Sequence, residues 1–239
     1  MIDVNTRLIT SGCSSTRHCW NTWANFLGRE FKESINLALS GADNAYIARS
    51  IINTANKGDT VVILWSSYDR WSMYKDEVVP VPGQPNNHWL HRGTLINDKV
   101  FLTTFYHRVE RFQNTMDYIQ LVDLHSQVHG YNAYHFSAWP IFLAEMEQEV
   151  DPRIVEVYNS YNIKNNFLTE LSLNDYTDDT DQRISTFHKY SKGDTHVTPA
   201  VHWQWLNKIM APKLGITLKA TTEEEVSKEQ TNVLNGIVK

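Results

Sequence analysis

The stretch Leu8-Ile9-Thr10-Ser11-Gly12-Cys13-Ser14-Ser15-Thr16 runs from apolar residues into a Gly-Cys-Ser turn, and an amphipathic segment follows. A serine between a strand end and a helix start has its Oγ exposed, its N–H free and a helix dipole beneath it. Attack on an ester needs that arrangement for a nucleophile and half of an oxyanion hole. Far downstream, Gly193-Asp194-Thr195-His196-Val197-Thr198-Pro199 supplies an acid and an imidazole just ahead of a last helix. Side chains two apart on extended chain point the same way, so Asp194 and His196 can be neighbours. His202, one turn into that helix, is the competing imidazole. Each residue also has a plain structural use: Ser14 as a helix N-cap, Asp194 and His196 as a loop turn, His202 as a packing residue. Cys13 reads as a small buried residue.

These groups need a scaffold. Trp20, Trp23, Leu27 and Phe31 fall at helical spacing, Ser34 to Leu39 reads as a short strand, and Ile47, Ile51 and Ala55 mark a second helix that Gly58 ends. Thr60 to Trp65 is a continuous apolar run, the mark of a strand covered on both faces. Strand, helix, strand, helix, strand predicts a parallel sheet between helices. Sites in such sheets form at the carboxyl ends of strands, where Gly12-Cys13-Ser14, Ser40-Gly41-Ala42-Asp43-Asn44 and Ser66-Ser67-Tyr68-Asp69-Arg70 lie. Arg70 with Trp71 suits stacking on a sugar, binding a carboxylate, or a structural ion pair.

Residues 75–100 are polar and Pro-rich and read as a surface loop near the site. Val109, Phe112, Met116 and Ile119 predict a long helix to His129, ended by Gly130, with a strand over Tyr131 to Phe136. Asp178-Asp179-Thr180-Asp181 reads as a solvated turn or a site for a hard cation. Thr198 and Pro199 start a helix to Leu214. Residues 217–239 read as an exposed polar tail with a short helix.

The 239 residues suffice for one domain with a real core, and 41% of them are hydrophobic. The mean hydropathy of −0.43, the lack of a long apolar run and the absence of a basic-then-apolar leader predict a cytoplasmic chain with no membrane contact. A net charge of −5 offers no footprint for nucleic acid. Two cysteines make no disulfide scaffold. The histidines show no zinc-finger or His-Glu-x-x-His spacing, so no metal and no cofactor are expected.

The order of these segments resembles the SGNH/GDSL hydrolase family, over roughly residues 7–215. Gly12-Cys13-Ser14-x-Thr16 is similar to the family's opening block, with Cys13 where the common form has Asp, a variant in the style of phage and environmental bacterial sequences. The second segment resembles the block with an oxyanion-hole Gly, which assigns that role to Gly41, and Asn44 sits in its Gly-x-x-Asn-x-x-Ile-x-Arg pattern. The third aligns with the Gly-x-Asn-Asp block, and His196-x-x-Pro199 resembles the closing block. The resemblance implies a three-layer α/β/α fold with a flavodoxin-like parallel sheet over residues 1–216, followed by the tail. It also implies a Ser-His-Asp esterase acting on an ester, with O-acyl groups on carbohydrate as one substrate class. Two departures stand out. Tyr68 occupies the position of the oxyanion Asn, for which Ser66, Ser67 or Asn44 can substitute. Asp194 lies two residues before His196 instead of three. A decayed module of the same fold that binds glycan or protein is the alternative, and an acyltransferase is a further one.

Overall fold

The computed structural model describes residues 2–74, 89–92, 107–141, 150–176 and 196–234. Five parallel strands form the central sheet: β1 (Arg7–Gly12), β2 (Glu33–Asn36), β3 (Thr60–Trp65), β6 (Asn132–Ser137) and β7 (Asn166–Phe167). Their spatial order is β2-β1-β3-β6-β7. Counting only sheet strands, this is 2-1-3-4-5, the flavodoxin-like order. The expected three-layer α/β/α fold is therefore present.

The two helical layers follow from side-chain alternation along the strands. Val61, Ile63 and Trp65 of β3 face α2 (Asn44–Ile52), α3 (Arg108–His129) and α4 (Pro152–Asn159). Val62 and Leu64 face α1 (Trp23–Gly28), α5 (Pro199–Trp205), α6 (Ala211–Leu214) and α7 (Glu223–Leu234). Every residue of β3 is buried, as a strand covered on both sides requires. One polar group is enclosed here too. His135 Nδ1 accepts from Trp65 Nε1 at 3.1 Å, its Nε2 lies 4.0 Å from Asp123 Oδ1, and burial pushes the imidazole down to about 3.

Local chemistry sets the helix ends. Gly130, at φ 73°, ends α3 in the left-handed region. Thr198 Oγ1 accepts from Val201 N at 3.2 Å and Pro199 follows, so α5 starts where expected. Its helical path continues to Leu214 through a π-helical turn, Leu206–Met210. Pro212 lacks the N–H an α-helix would use there, and the wider turn accommodates it.

Several boundaries differ from expectation. β2 covers Glu33–Asn36, not Ser34 to Leu39. α2 stops at Ile52, with Asn53 as its cap, well before Gly58. Within the stretch read as a loop, β5 (Trp89–Arg92) pairs antiparallel with β4 (Trp71–Tyr74). The rest of residues 75–100 and the acidic Asp178–Asp181 segment lie outside the described residues. Beyond 217, α7 buries Val226 and Val233. Among the described residues, no helix is long and apolar enough to cross a membrane.

Candidate functional site

The strand order creates the site's location. The chain passes from β1 through α1 to β2 on one side. It then crosses back over β1 through α2 to reach β3 on the other. The connections leaving β1 and β3 thus diverge over opposite faces, and in sheets of this order ligands bind at the carboxyl ends of such a strand pair. Ser14 follows β1 there and Ser66 follows β3.

Ser14 does not stand at the mouth of a helix. α1 begins only at Trp23, and Ser14 sits instead in a tight turn in which Thr16 N and Arg17 N both donate to Cys13 O, at 2.9 and 3.2 Å. The spacing of Trp20, Trp23, Leu27 and Phe31 reported burial correctly, but Trp20 is buried from the loop. The helix-dipole argument for Ser14 therefore lapses, while the free N–H argument holds. Among the described residues, the N–H of Ser14 donates no hydrogen bond. The turn is closed by Gly12. A Cβ there would stand 2.1 Å from Thr16 Oγ1 and 2.8 Å from Leu64 O. Thr16 O in turn accepts from Thr22 Oγ1 at 2.7 Å and Asn36 Nδ2 at 3.0 Å. The Gly-x-x-x-Thr spacing thus has a steric cause. Cys13 is fully buried in the core.

Gly41 lies in the turn after β2 at φ 78°, a conformation that favours glycine. Leu39 N donates to Gly12 O at 3.2 Å, which sets this turn beside the end of β1. The Gly41 N–H also donates no hydrogen bond among the described residues. Asn44 is placed differently from an anion donor. Its Nδ2 donates to Ser66 O and Thr115 Oγ1 at 3.0 and 3.1 Å, and its Oδ1 accepts from Ser66 N at 2.9 Å. Both amide hydrogens are occupied, so Asn44 ties α2 to the end of β3 and to α3. It does not face an oxyanion.

Around β3's end, Ser66 Oγ is buried and, among the described residues, has no hydrogen-bond partner. Tyr68 is buried against Phe112, and its hydroxyl accepts from Arg108 Nε at 2.7 Å. The Tyr68 ring is therefore a core group pinned by Arg108. Arg70 stacks over Trp139, with its guanidinium carbon 4.7 Å from the ring centroid. This contact is none of the uses expected of Arg70, which were a sugar, a carboxylate and a structural ion pair.

The late imidazoles come to the segment that follows the Ser14 turn. The His196 ring stacks on His18, centroids 4.4 Å apart and planes at 24°. Trp20 meets His18 edge-on at 3.9 Å, and its Nε1 donates to Val197 O at 3.2 Å. His196 is half-buried. His202 is 1% exposed, and its Nδ1 has no hydrogen-bond partner among the described residues. Its pKa falls to about 3, first through burial and then through His18 and His196. An imidazole sealed in that way is a packing group, and His196 is the more accessible of the two rings. Among the described residues, Ser14 makes no hydrogen bond to either imidazole; catalytic contacts often tighten only around substrate. Asp194 lies outside the described residues.

His18 is the site residue that sequence reasoning overlooked. Its position four residues after Ser14 matches no spacing rule, and only the fold brings it to His196. Among the described residues, no group of three or more His, Cys, Asp or Glu is placed to hold a metal ion.

No family model matches this chain, and no curated protein does. Among solved structures, a GDSL-like lipase from Bacteroides thetaiotaomicron matches over 88% of this chain and 88% of its own, at 12% identity and a TM-score of 0.43. The YxiM protein of Bacillus subtilis matches over 72% of this chain at 12% identity and a TM-score of 0.37. This chain spans 45% of that protein's length.

Proposed function

We propose that this protein is a serine esterase of the SGNH type, with Ser14 as nucleophile and His196 as its general base. One observation carries the reading: His196 packs on His18 of the segment that bears Ser14, at the carboxyl edge of the sheet. Two unspent donors support it, the backbone N–H groups of Ser14 and Gly41 beside that edge. They suit a tetrahedral oxyanion, where one lost donor typically costs about 3 kcal/mol of barrier. In this scheme Ser14 Oγ attacks the ester carbonyl as His196 takes its proton. The imidazolium then protonates the departing alcohol, and water repeats the sequence on the acyl-enzyme. Asp194 is assigned to orient His196. O-acyl carbohydrate is the proposed substrate class.

The test is hydrolysis of p-nitrophenyl acetate together with labelling by a fluorophosphonate. Turnover and labelling that vanish in Ser14→Ala and fall sharply in His196→Ala support the esterase, while His202→Asn retains labelling. A second reading, a module of the same fold that binds glycan or protein without catalysis, is favoured by Tyr68, whose hydroxyl is engaged with Arg108 in place of an oxyanion donor. Absence of both labelling and turnover in a folded sample selects that reading.

A further inference from the structure

The proposed base is gripped by two aromatic side chains from the other end of the sequence. His18 lies nearly parallel against the His196 ring at 4.4 Å, which restricts rotation of that ring about its Cβ–Cγ bond. Trp20 stands perpendicular to His18 at 3.9 Å, which in turn restricts His18. The same Trp20 holds the next peptide of the late segment through Nε1–H to Val197 O at 3.2 Å. The ring of His196 and the backbone just after it are thereby referenced to one loop.

That loop is itself braced. Trp20 is 5% exposed and packs on Val233 of α7. Asn21 N donates to Glu229 Oε1 at 2.8 Å, and its side-chain amide donates to the other carboxylate oxygen. A loop of this kind, tied at one end to the Ser14 turn and backed by a helix, can fix the relative position of nucleophile and base.

We infer that His18 and Trp20 are positioning residues that hold the His196 imidazole in line with Ser14. This rests on the esterase reading for its kinetic consequence, although the ring alignment itself does not. A misplacement of about 1 Å in a reacting group is enough to cost roughly 100-fold in rate. His18 has no place in the proton transfers. Its contribution to His196 is the stacked face, so a phenyl ring that restores the stack restores the alignment.

The experiment compares the intact chain with His18→Ala and His18→Phe. kcat and KM are measured on p-nitrophenyl acetate, thermal midpoints are recorded, and the His196 Hε1–Cε1 resonance is followed by NMR, assigned through His196→Ala. The expected result is a kcat about 100-fold lower in His18→Ala, with KM and thermal midpoint little changed. His18→Phe is expected to recover most of the loss. The His196 resonance loses its ring-current shift and broadens in His18→Ala, then sharpens and shifts again in His18→Phe. An unaltered His196 resonance in His18→Ala overturns the inference, as does a kcat loss that follows the thermal midpoint and is not rescued by Phe. If Ser14→Ala leaves turnover intact, the esterase reading fails, and the NMR comparison still decides whether His18 aligns His196.

Discussion

Replacing Gly12 with alanine places a methyl group against Thr16 Oγ1 at 2.1 Å, Leu64 O at 2.8 Å and Thr16 Cβ at 2.9 Å. Ordinary contact begins near 3.4 Å, so Thr16 Oγ1 must retreat by about 1.3 Å. Leu64 O belongs to the middle of the sheet, where β3 pairs with β1 and β6, and it cannot yield. Thr16 must therefore move, and its backbone carries the hydrogen bonds from Thr22 and Asn36. Overpacking of this kind costs about 1–3 kcal/mol, and the strained turn puts Gly12→Ala near the upper end. For a chain of this size that corresponds to a fall of about 4–10 °C in thermal midpoint. Urea unfolding gives the free energy, and fluorophosphonate labelling of Ser14 reports on the turn. The double variant Gly12→Ala with Thr16→Gly removes two of the three clashes. The cycle should therefore show a favourable coupling of about 1 kcal/mol or more. A Gly12→Ala protein within about 0.5 kcal/mol of the parent, labelled at the parental rate, would refute the claim that Gly12 exists to admit Thr16.

Asn44→Ala removes three buried hydrogen bonds and leaves Ser66 N and O without those partners; urea unfolding should show a loss of about 2–4 kcal/mol. His135 and His202 have folded pKa values near 3, below the unfolded value of about 6.5. Their neutral burial therefore stabilises the fold fully above about pH 6.5 and does so progressively less as pH falls toward 3. Each should cost about 2 kcal/mol between pH 7 and pH 5, read from urea midpoints at constant ionic strength; a flat profile there contradicts their neutral burial. Glu229→Ala deprives Asn21 of its acceptor. It should cost about 1 kcal/mol and speed hydrogen exchange at the Asn21 amide, with an unchanged exchange rate speaking against the brace.

What could be read in advance tracks how local each cause is. The run Thr60 to Trp65 needs no partner to declare itself, because six consecutive apolar or β-branched residues suit a strand buried on both faces. Gly130 and the Thr198-Pro199 pair are likewise chemical punctuation, and α3 and α5 end and begin there. β2 and β7 are different. Glu33 and Ser34 are exposed, and β7 has only two residues, defined by pairing with His135 and Phe136. Trp20 mimicked a helical position because burial was imposed from α7 and the late segment, through contacts local periodicity does not record. In the site, Ser14 and Gly41 were legible as strand-end turns. The occupied amide of Asn44 and the core placement of Tyr68 were not, since both depend on α3 packing over the end of β3. His18 was invisible for the same reason at longer range.

The brace from Asn21 to Glu229 joins residues 208 apart in the chain, and the bond from Trp20 to Val197 joins residues 177 apart. A polypeptide emerging from the ribosome can build β1 and its turn early, but Val197 and Glu229, which hold Trp20 and Asn21, are translated 177 and 208 residues later. Such distant closures form slowly. The Ser14 turn and the His196 segment therefore stay apart through most of synthesis, and the brace between them closes as a late, single event once α7 docks.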